Sequence, residues 1–410
     1  MSTAQTWAYK ARDPEGKVVK GKLDATSEAA AVARMRTLGL SPMQLNEAGA
    51  GTGLNRDITL GGLFEKKVTL KDLAIMTRQM STMVSAGLSL LKTLSILADQ
   101  TENPTLGKAL TEVRNAVESG ESLSGAFAKH PMIFPPLMIH LIRAGELGGF
   151  LDKSLLSIAA TFEADVKLRQ TIKSAMTYPV IVLIIALLSI VAMLTFIVPI
   201  FEKMFADLGG ELPIPTLILV AISKQMFWIA PLLIVSIVGF SIWWGRNKHK
   251  DSVRRVVDPW KLKIPVFGPL FAKVGIARFA RNFATMTGSG VPILQALGIV
   301  GETSGNWVIE NALHKVQDAV RTGKSIAGPL AQEPVFPSMV TQMIAVGEDS
   351  GALEPMLNKI ADFYESEVQS TTEQLTSLIE PLLIAFLGIV IGGMVVALYL
   401  PVFTIFDQIK

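Results

Sequence analysis

The sequence predicts an all-α polytopic membrane protein with two tandem cytoplasmic helical bundles, three transmembrane helices and a small N-terminal α/β unit. Three observations predict this class. A long segment is repeated later in the chain, three long stretches carry no charged residue, and the mean hydropathy of +0.43 is high for a soluble chain of 410 residues. The repeat matters most, because it sets the domain plan.

Two parts of the chain carry the same residues in the same order. At a constant offset of 203, the matched residues are Arg78, Thr82, Met83, Gly87, Leu91, Leu94 and Ile96 in the first copy and Arg281, Thr285, Met286, Gly290, Leu294, Leu297 and Ile299 in the second. After one deletion the offset becomes 202, which relates Phe134-Pro135 to Phe336-Pro337, Pro179 to Pro381 and Pro199 to Pro401. One register kept over about 130 residues indicates a tandem duplication.

Residues 1–46 are predicted to form a small, separate cytoplasmic unit. Two weakly alternating segments are joined by a hairpin turn at residues 13–16, and a last short strand closes the unit. Between them, Ser27 is suited to begin a helix and Gly39 to end it. The Gly-rich segment 47–66 that follows is predicted to be a flexible linker.

Each copy predicts an antiparallel helical bundle, at residues 67–173 and at residues 270–378. Apolar residues recur at three- and four-residue steps, and glycines such as Gly87 and Gly120 end the segments. Short turns between five or six helices favour an up-and-down bundle.

Three long stretches contain no Asp, Glu, Lys or Arg: residues 174–201, 225–245 and 381–406. Because a helix rises about 1.5 Å per residue, even the shortest covers a hydrocarbon core of about 30 Å. The stretches therefore predict transmembrane helices at residues 174–201, 216–245 and 379–406. The alternative interpretation is buried helices of a large soluble protein.

The charges beside the first two spans predict their direction. Basic residues precede the first span and follow the second: Lys167, Arg169, Lys173, Arg246, Lys248, Lys250, Arg254, Arg255, Lys261 and Lys263. The short loop at residues 202–215 holds one lysine and three acidic residues. The positive-inside rule places residues 1–173 and 246–380 in the cytoplasm, including the basic linker at 246–269, and the short loop on the extracytoplasmic side.

The approach to the third span is acidic and departs from that rule. Two equivalent copies should enter the membrane from the same side, so the middle helix is the return crossing and the C-terminus is extracytoplasmic. The first 30 residues are polar and lack the apolar core of a cleaved signal peptide, which predicts a cytoplasmic N-terminus. We therefore predict a multi-pass protein located in the inner (cytoplasmic) membrane.

Several chemistries lack a signal in this sequence. The chain has no cysteine, which excludes disulfides, thiolate metal sites and cysteine nucleophiles. Gly323-Lys324-Ser325 is similar to the end of a phosphate-binding loop, but Asp318 replaces the required glycine. The four histidines have no ligand spacing, and the net charge of +3 gives no signal for nucleic acid. We therefore expect no catalytic residue, cofactor, metal or nucleic-acid partner, and a protein that is not an enzyme.

The repeated Gly-Glu segment is the best candidate for a working site. It contains Gly145, Glu146 and Gly149 in the first copy and Gly347, Glu348 and Gly351 in the second. The glycines are predicted to let the chain reverse between helices. Each glutamate either caps the helix that follows or contacts a basic surface of a partner protein.

The apolar spans contain prolines and glycines at positions that suggest a structural role. Pro179 and Pro381 are predicted to lie at the start of two membrane helices, and Pro199 and Pro401 at their ends. Gly388 and Gly392 form a Gly-x-x-x-Gly pair in the third span. Such a pair lets two helices approach closely, either between copies of the chain or within one copy.

Taken together, these residues resemble one family, the inner-membrane platform proteins of type IV pilus assembly and type II secretion (PilC/GspF). The resemblance covers nearly the whole chain. It rests on Tyr9-Lys10-Ala11-Arg12-Asp13 with Gly16, Leu40-Ser41-Pro42, both Gly-Glu segments, and the final Pro401-Val402-Phe403.

The resemblance implies a non-enzymatic, homo-oligomeric scaffold that couples a hexameric assembly ATPase in the cytoplasm to pilin or pseudopilin subunits in the membrane. Other inner-membrane pilus components would be further partners. The equivalent platform of a type II secretion system is the alternative role. A membrane transporter is a distant alternative, because the spans lack ionisable groups at the bilayer midplane.

Overall fold

The computed structural model describes residues 5–12, 18–37, 39, 41–47, 66–207, 212–248 and 250–408. The chain divides into two compact units, Met1–Glu65 and Lys66–Lys410. The hairpin turn predicted at 13–16 and most of the linker predicted at 47–66 lie outside the described residues.

The N-terminal unit contains a three-stranded antiparallel sheet with one helix. Its elements are β1 (Gln5–Arg12), β2 (Val18–Ala25), α1 (Glu28–Thr37) and β3 (Ser41–Glu47), in the sheet order β2-β1-β3. Ser27 Oγ accepts a hydrogen bond from the Ala30 N–H at the start of α1, and Gly39 has a positive φ just after its end. Trp7 of β1 and Ala31 of α1 are buried between the sheet and the helix.

The first repeat folds as a helical bundle. Its helices are α2 (Leu70–Ser85), α3 (Leu90–Gln100), α4 (Pro104–Glu118), α5 (Leu123–Ala128), α6 (Pro136–Gly148) and α7 (Leu151–Ala192). Thr69 and Asp72 form a reciprocal capping box at the start of α2. Burial acts to raise the pKa of Asp72, but hydrogen bonds from the Thr69 N–H and the Asn103 amide outweigh it and hold that pKa below its ordinary value.

The second repeat reproduces the same order of helices. They are α11 (Gly268–Gly288), α12 (Ile293–Thr303), α13 (Trp307–Arg321), α14 (Ala327–Leu330), α15 (Ser338–Asp349) and α16 (Leu353–Gln408). The buried residues of both repeats join in one hydrophobic core.

The basic segment predicted as a linker contains a helix, α10 (Asp251–Lys263). Arg254 donates to Glu310 at 2.7 Å, and the buried Asp258 carboxylate accepts from the Trp307 N–H at 3.0 Å. Because a carboxylate at a helix N-terminus supplies missing acceptors, α10 is fastened to the start of α13.

In the described part of the chain, three helical segments are long and apolar enough to cross a membrane. The first is α7, continued without a break by a π-helical turn (Met193–Ile197) and by α8 (Val198–Asp207). The second is α9 (Ile214–Asn247), and the third is α16. With α16 containing 56 residues at about 1.5 Å each, this helix measures about 84 Å. The predicted fold class is confirmed by these helices and by the paired bundles.

The long helices α7 and α16 lie side by side and run parallel. Near the bundles, Leu168 of α7 and Val368 of α16 share one buried cluster. Farther along, Leu194 and Val198 share another with Leu398. Since early residues meet early residues and late residues meet late ones, both helices leave the bundles in the same direction.

Candidate functional site

Only the last glycine of each Gly-Glu segment lies at the predicted turn, and the first glycine and the glutamate lie inside a helix. Gly145 and Glu146 are in the last turn of α6, and Gly347 and Glu348 are near the end of α15. The chain reverses later, at Gly149 and Gly351, whose φ angles are 73° and 69°. Only these last two glycines supply the left-handed conformation that a side chain disfavours.

Gly145 and Gly347 serve close packing instead of chain reversal. A Cβ atom on Gly145 would lie 2.5 Å from Ser154 Oγ and 3.0 Å from Leu151 Cα. A Cβ atom on Gly347 would lie 3.0 Å from Leu353 Cα. The separation at Gly145 is too short for a side chain, and the one at Gly347 is tighter than an ordinary contact. Each glycine therefore allows its helix to pack closely against the start of the following long helix.

Each glutamate caps a helix that lies earlier in the chain. Glu146 accepts from the backbone N–H groups of Leu123 and Ser124, at the start of α5. Glu348 accepts from Ile326 N–H at 2.8 Å and Ala327 N–H at 3.2 Å, at the start of α14. The interpretation that these carboxylates cap the following helix is therefore wrong, and for α7 the cap position is Phe150, which makes no side-chain cap bond.

The same contact explains the segment at residues 323–325. Phosphate-binding loops hold their anion on free N–H groups at a helix start. Here the Glu348 carboxylate already takes the Ile326 and Ala327 N–H groups, and Ser325 Oγ accepts from the Gly328 N–H. The segment is thus the capped start of α14.

A second repeated pair fastens each long helix to its bundle. Arg78 of α2 makes two hydrogen bonds with Glu163 of α7, at 2.7 and 2.6 Å, and Arg281 of α11 bonds Glu365 of α16 at 3.0 Å. The bonds from Arg78 hold the pKa of Glu163 below its ordinary value. Sequence reasoning noted the arginines, which are 203 residues apart, but missed the glutamates, which are repeated at the later offset of 202 residues.

The prolines predicted to mark helix ends do not end helices. Pro179 lies inside α7, and Pro381 and Pro401 lie inside α16. Pro199 lies in the first turn of α8, directly after the π-helical turn, and the helix continues to Asp207. They lie at the borders of the apolar stretches, but the helices continue through them.

Hydroxyl groups of α9 compensate for Pro199 and Pro401. Proline has no N–H, so it leaves a carbonyl of the preceding turn without its helical donor. Thr216 Oγ1 donates to the carbonyl of Ala397, four residues before Pro401. In the π-helical turn the Val198 N–H donates to the Met193 carbonyl. The next donor would be the N–H that Pro199 lacks, and its acceptor would be the Leu194 carbonyl. Ser223 Oγ donates to that carbonyl instead. Polar groups in lipid need such partners.

We expect Thr216→Val and Ser223→Ala each to destabilise the membrane domain. Each variant leaves one carbonyl unsatisfied, which costs about 0.6–2 kcal/mol in a membrane protein. Unfolding of the full chain in detergent measures the loss. Ser236→Ala, at an exposed position of the same helix, is the control and should unfold like wild type. Equal stability of all three variants would contradict a role for these hydroxyls.

Among the described residues, no helix of the same chain packs against the Gly388–Gly392 pair. Cβ atoms added at either glycine would meet no described atom within 4 Å. Packing inside one copy is therefore wrong as an explanation of the motif. Self-association through this open face of α16 stays a prediction.

Comparison with known proteins identifies the family. The family model of "Type II secretion system (T2SS), protein F" matches residues 76–199 and 279–401, and the model of its N-terminal domain matches residues 1–46. The chain belongs to this secretion-system protein F family. The two matched segments of the family model fall on the two copies, as a duplicated protein requires.

The similarity to relatives in the family covers nearly the whole chain. The type IV pilus assembly protein PilC of Myxococcus xanthus is 42% identical over 100% of this chain and 97% of its own length. The protein of the same name from Thermus thermophilus is 42% identical, covering 98% and 99%. The type II secretion system protein F of Pseudomonas aeruginosa is 32% identical, covering 97% of each chain. The resemblance stated from the sequence is confirmed.

Proposed function

We propose that this protein is a non-enzymatic platform of the inner membrane that couples a cytoplasmic assembly ATPase to pilin insertion or extraction in type IV pilus biogenesis. Among the relatives compared, those named for pilus or fimbrial assembly are 32–42% identical and those named for type II secretion are 30–32% identical, which supports the pilus over secretion. The equivalent platform of a type II secretion system, acting on pseudopilins, is the second candidate. In either role the platform is a homo-oligomer, the ATPase is a hexamer, and other inner-membrane components bind beside it.

The observation that carries the proposal is the continuity of α7 and α16. Each helix begins in a packed bundle and runs into an apolar span without an interrupting loop. Arg78–Glu163 and Arg281–Glu365 fasten these helices to their bundles, and the close approach at Gly145 and Gly347 fixes their first turns. A force applied to a bundle can therefore reach the bilayer through a rigid element.

The orientation belongs to the same proposal. Bundles that meet an ATPase must lie in the cytoplasm, with the short loop between α8 and α9 and the C-terminus on the other side. The basic residues of α10 and the segment before it support this placement. Reporter fusions after α8 and after α10 test it, and opposite signals at these two positions are expected.

Deletion of the gene tests the role. A source strain without this chain should lose surface pili and keep its secreted enzymes, and the wild-type gene should restore the pili. Loss of secreted enzymes with intact pili would favour the secretion platform. In the same cells, photo-crosslinking groups on the bundles should capture an ATPase and groups on the spans should capture pilin. ATP hydrolysis by the purified chain alone would contradict the proposal.

A further inference from the structure

The two bundles of one chain contact each other through different faces. The first contributes α6 and α7, and the second contributes α11, α12 and the side of α16 that packs on α7. Thr161 Oγ1 of α7 lies 2.9 Å from Thr285 Oγ1 of α11. Arg278 of α11 forms an ion pair with Asp165 of α7 at 2.7 Å. A contact in which two equivalent bundles use different faces is heterologous, and it leaves one unused face on each bundle.

The unused face of the first bundle is on α2 and α3. In the alignment of the copies, Thr82 corresponds to Thr285 and Ile75 corresponds to Arg278. Both α2 residues are exposed, and Ile75 shows 48% of its surface. The face that binds a neighbour in the second bundle is therefore open in the first.

The unused face of the second bundle is on α15 and α16. Phe363 corresponds to Thr161 and is 45% exposed. Met339 corresponds to Leu137, and the two differ sharply in exposure, 37% against 3%. Leu137 lines the cavity of about 460 Å³ between the bundles. The second bundle thus has an uncovered, partly apolar copy of the face that the first bundle buries.

We propose that a second copy of this chain covers these faces. The α2–α3 face of one chain packs on the α15–α16 face of the next chain. This contact between chains repeats the geometry of the contact between the two bundles within each chain. Between two chains, Phe363 and Thr82 take the places of Thr161 and Thr285. Ile75 and Glu367 take the places of Arg278 and Asp165, and Glu367 has its own partner, Lys273, at 2.8 Å. Gln295 and His140 are hydrogen-bonded across the contact within one chain. Lys92 and Gln342 occupy their positions between chains, and only Lys92 is charged, so this pair has no charge repulsion.

The membrane favours this arrangement over other head-to-tail contacts. Because α7 and α16 run parallel, the operation that relates the two bundles preserves the direction of the long helices. Repeating it in the next copy keeps every long helix entering the same bilayer from the same side. A heterologous contact of this kind builds a closed ring or an open arc in the membrane plane. The inference names an interface for the homo-oligomer of the proposed function. Its test reads assembly alone, so it can fail while the pilus role stands.

Cysteine crosslinking of the full chain in native membranes tests the contact, and the chain has no cysteine of its own. A disulfide requires Cα atoms about 4–7 Å apart. Thr82→Cys with Phe363→Cys in one chain should give dimers and a ladder of larger species on oxidation. Chains with Thr82→Cys alone, coexpressed with chains carrying Phe363→Cys alone, should give dimers only. Thr161→Cys with Thr285→Cys should crosslink within one chain and calibrate the reaction.

The controls separate this contact from others. Asn115→Cys on the exposed side of α4, combined with Phe363→Cys, should give no ladder. Dimers from either single variant would reveal a symmetric contact and overturn the proposal. Absence of a ladder from the Thr82–Phe363 pair would also overturn it, provided that the Thr161–Thr285 pair reacts. As a second pair, Lys92→Cys with Gln342→Cys should give the same ladder with a short bifunctional thiol reagent.

Discussion

Replacing Gln374 by proline is expected to abolish pilus assembly while leaving the protein in the membrane. Gln374 is exposed on α16, between the buried Val368 and the apolar stretch that begins at position 381. A proline there removes a backbone hydrogen bond and drives its ring against the carbonyl of Ser370, which costs about 3 kcal/mol or more and kinks the helix. The bundle and the span would each remain folded, but the helix that joins them would be kinked between the two.

The effect is measured by complementing a deletion strain and counting surface pili at equal membrane levels of protein. Gln374→Ala removes the same side chain without a kink and should assemble pili normally. Ser338→Pro is the matched proline control, because the first copy already has Pro136 at this position and the first turn of a helix tolerates proline. Normal piliation by Gln374→Pro would show that a continuous α16 is not needed.

The fold was largely predictable because its signals are periodic or long. Uncharged stretches predicted the spans, and the repeat predicted two bundles without reference to any contact. The exact place of the turns was not predictable. Gly145 and Gly149 are the same residue type, but one permits a close helix contact and the other a positive φ. Sequence alone does not separate these two uses of glycine.

The capping glutamates and the prolines show where local reasoning stops. Glu146 reaches N–H groups 22 and 23 residues earlier, a distance that only the folded bundle defines. Pro199 and Pro401 suggested helix ends, but hydroxyls on α9 supply the missing donors. Because α9 has no counterpart in the repeat, the comparison of the two copies could not reveal its role. In contrast, the Glu163 and Glu365 partners of the repeated arginines were accessible from the register.

Glu146→Ala and Glu348→Ala are expected to destabilise the bundles strongly and by similar amounts. Each removes a charged acceptor from two part-buried N–H groups at a helix start. Hydrogen bonds to charged groups contribute about 1.5–3 kcal/mol, and the unsatisfied donors add to the loss. Thermal unfolding of the full chain in detergent would show a lowered midpoint for each variant.

The conservative variants separate capping from contact with a partner. Glu146→Gln keeps one oxygen acceptor and should lose less stability than Glu146→Ala, whereas Glu118→Ala, at an exposed position of α4, should lose almost none. If Glu146→Ala unfolded like wild type but failed to assemble pili, the carboxylate would serve a partner and the capping role would be contradicted. If stability and piliation fall together in both copies, the glutamates act by holding α5 against α6 and α14 against α15. The starts of α7 and α16 then depend on them, because Gly145 and Gly347 pack there.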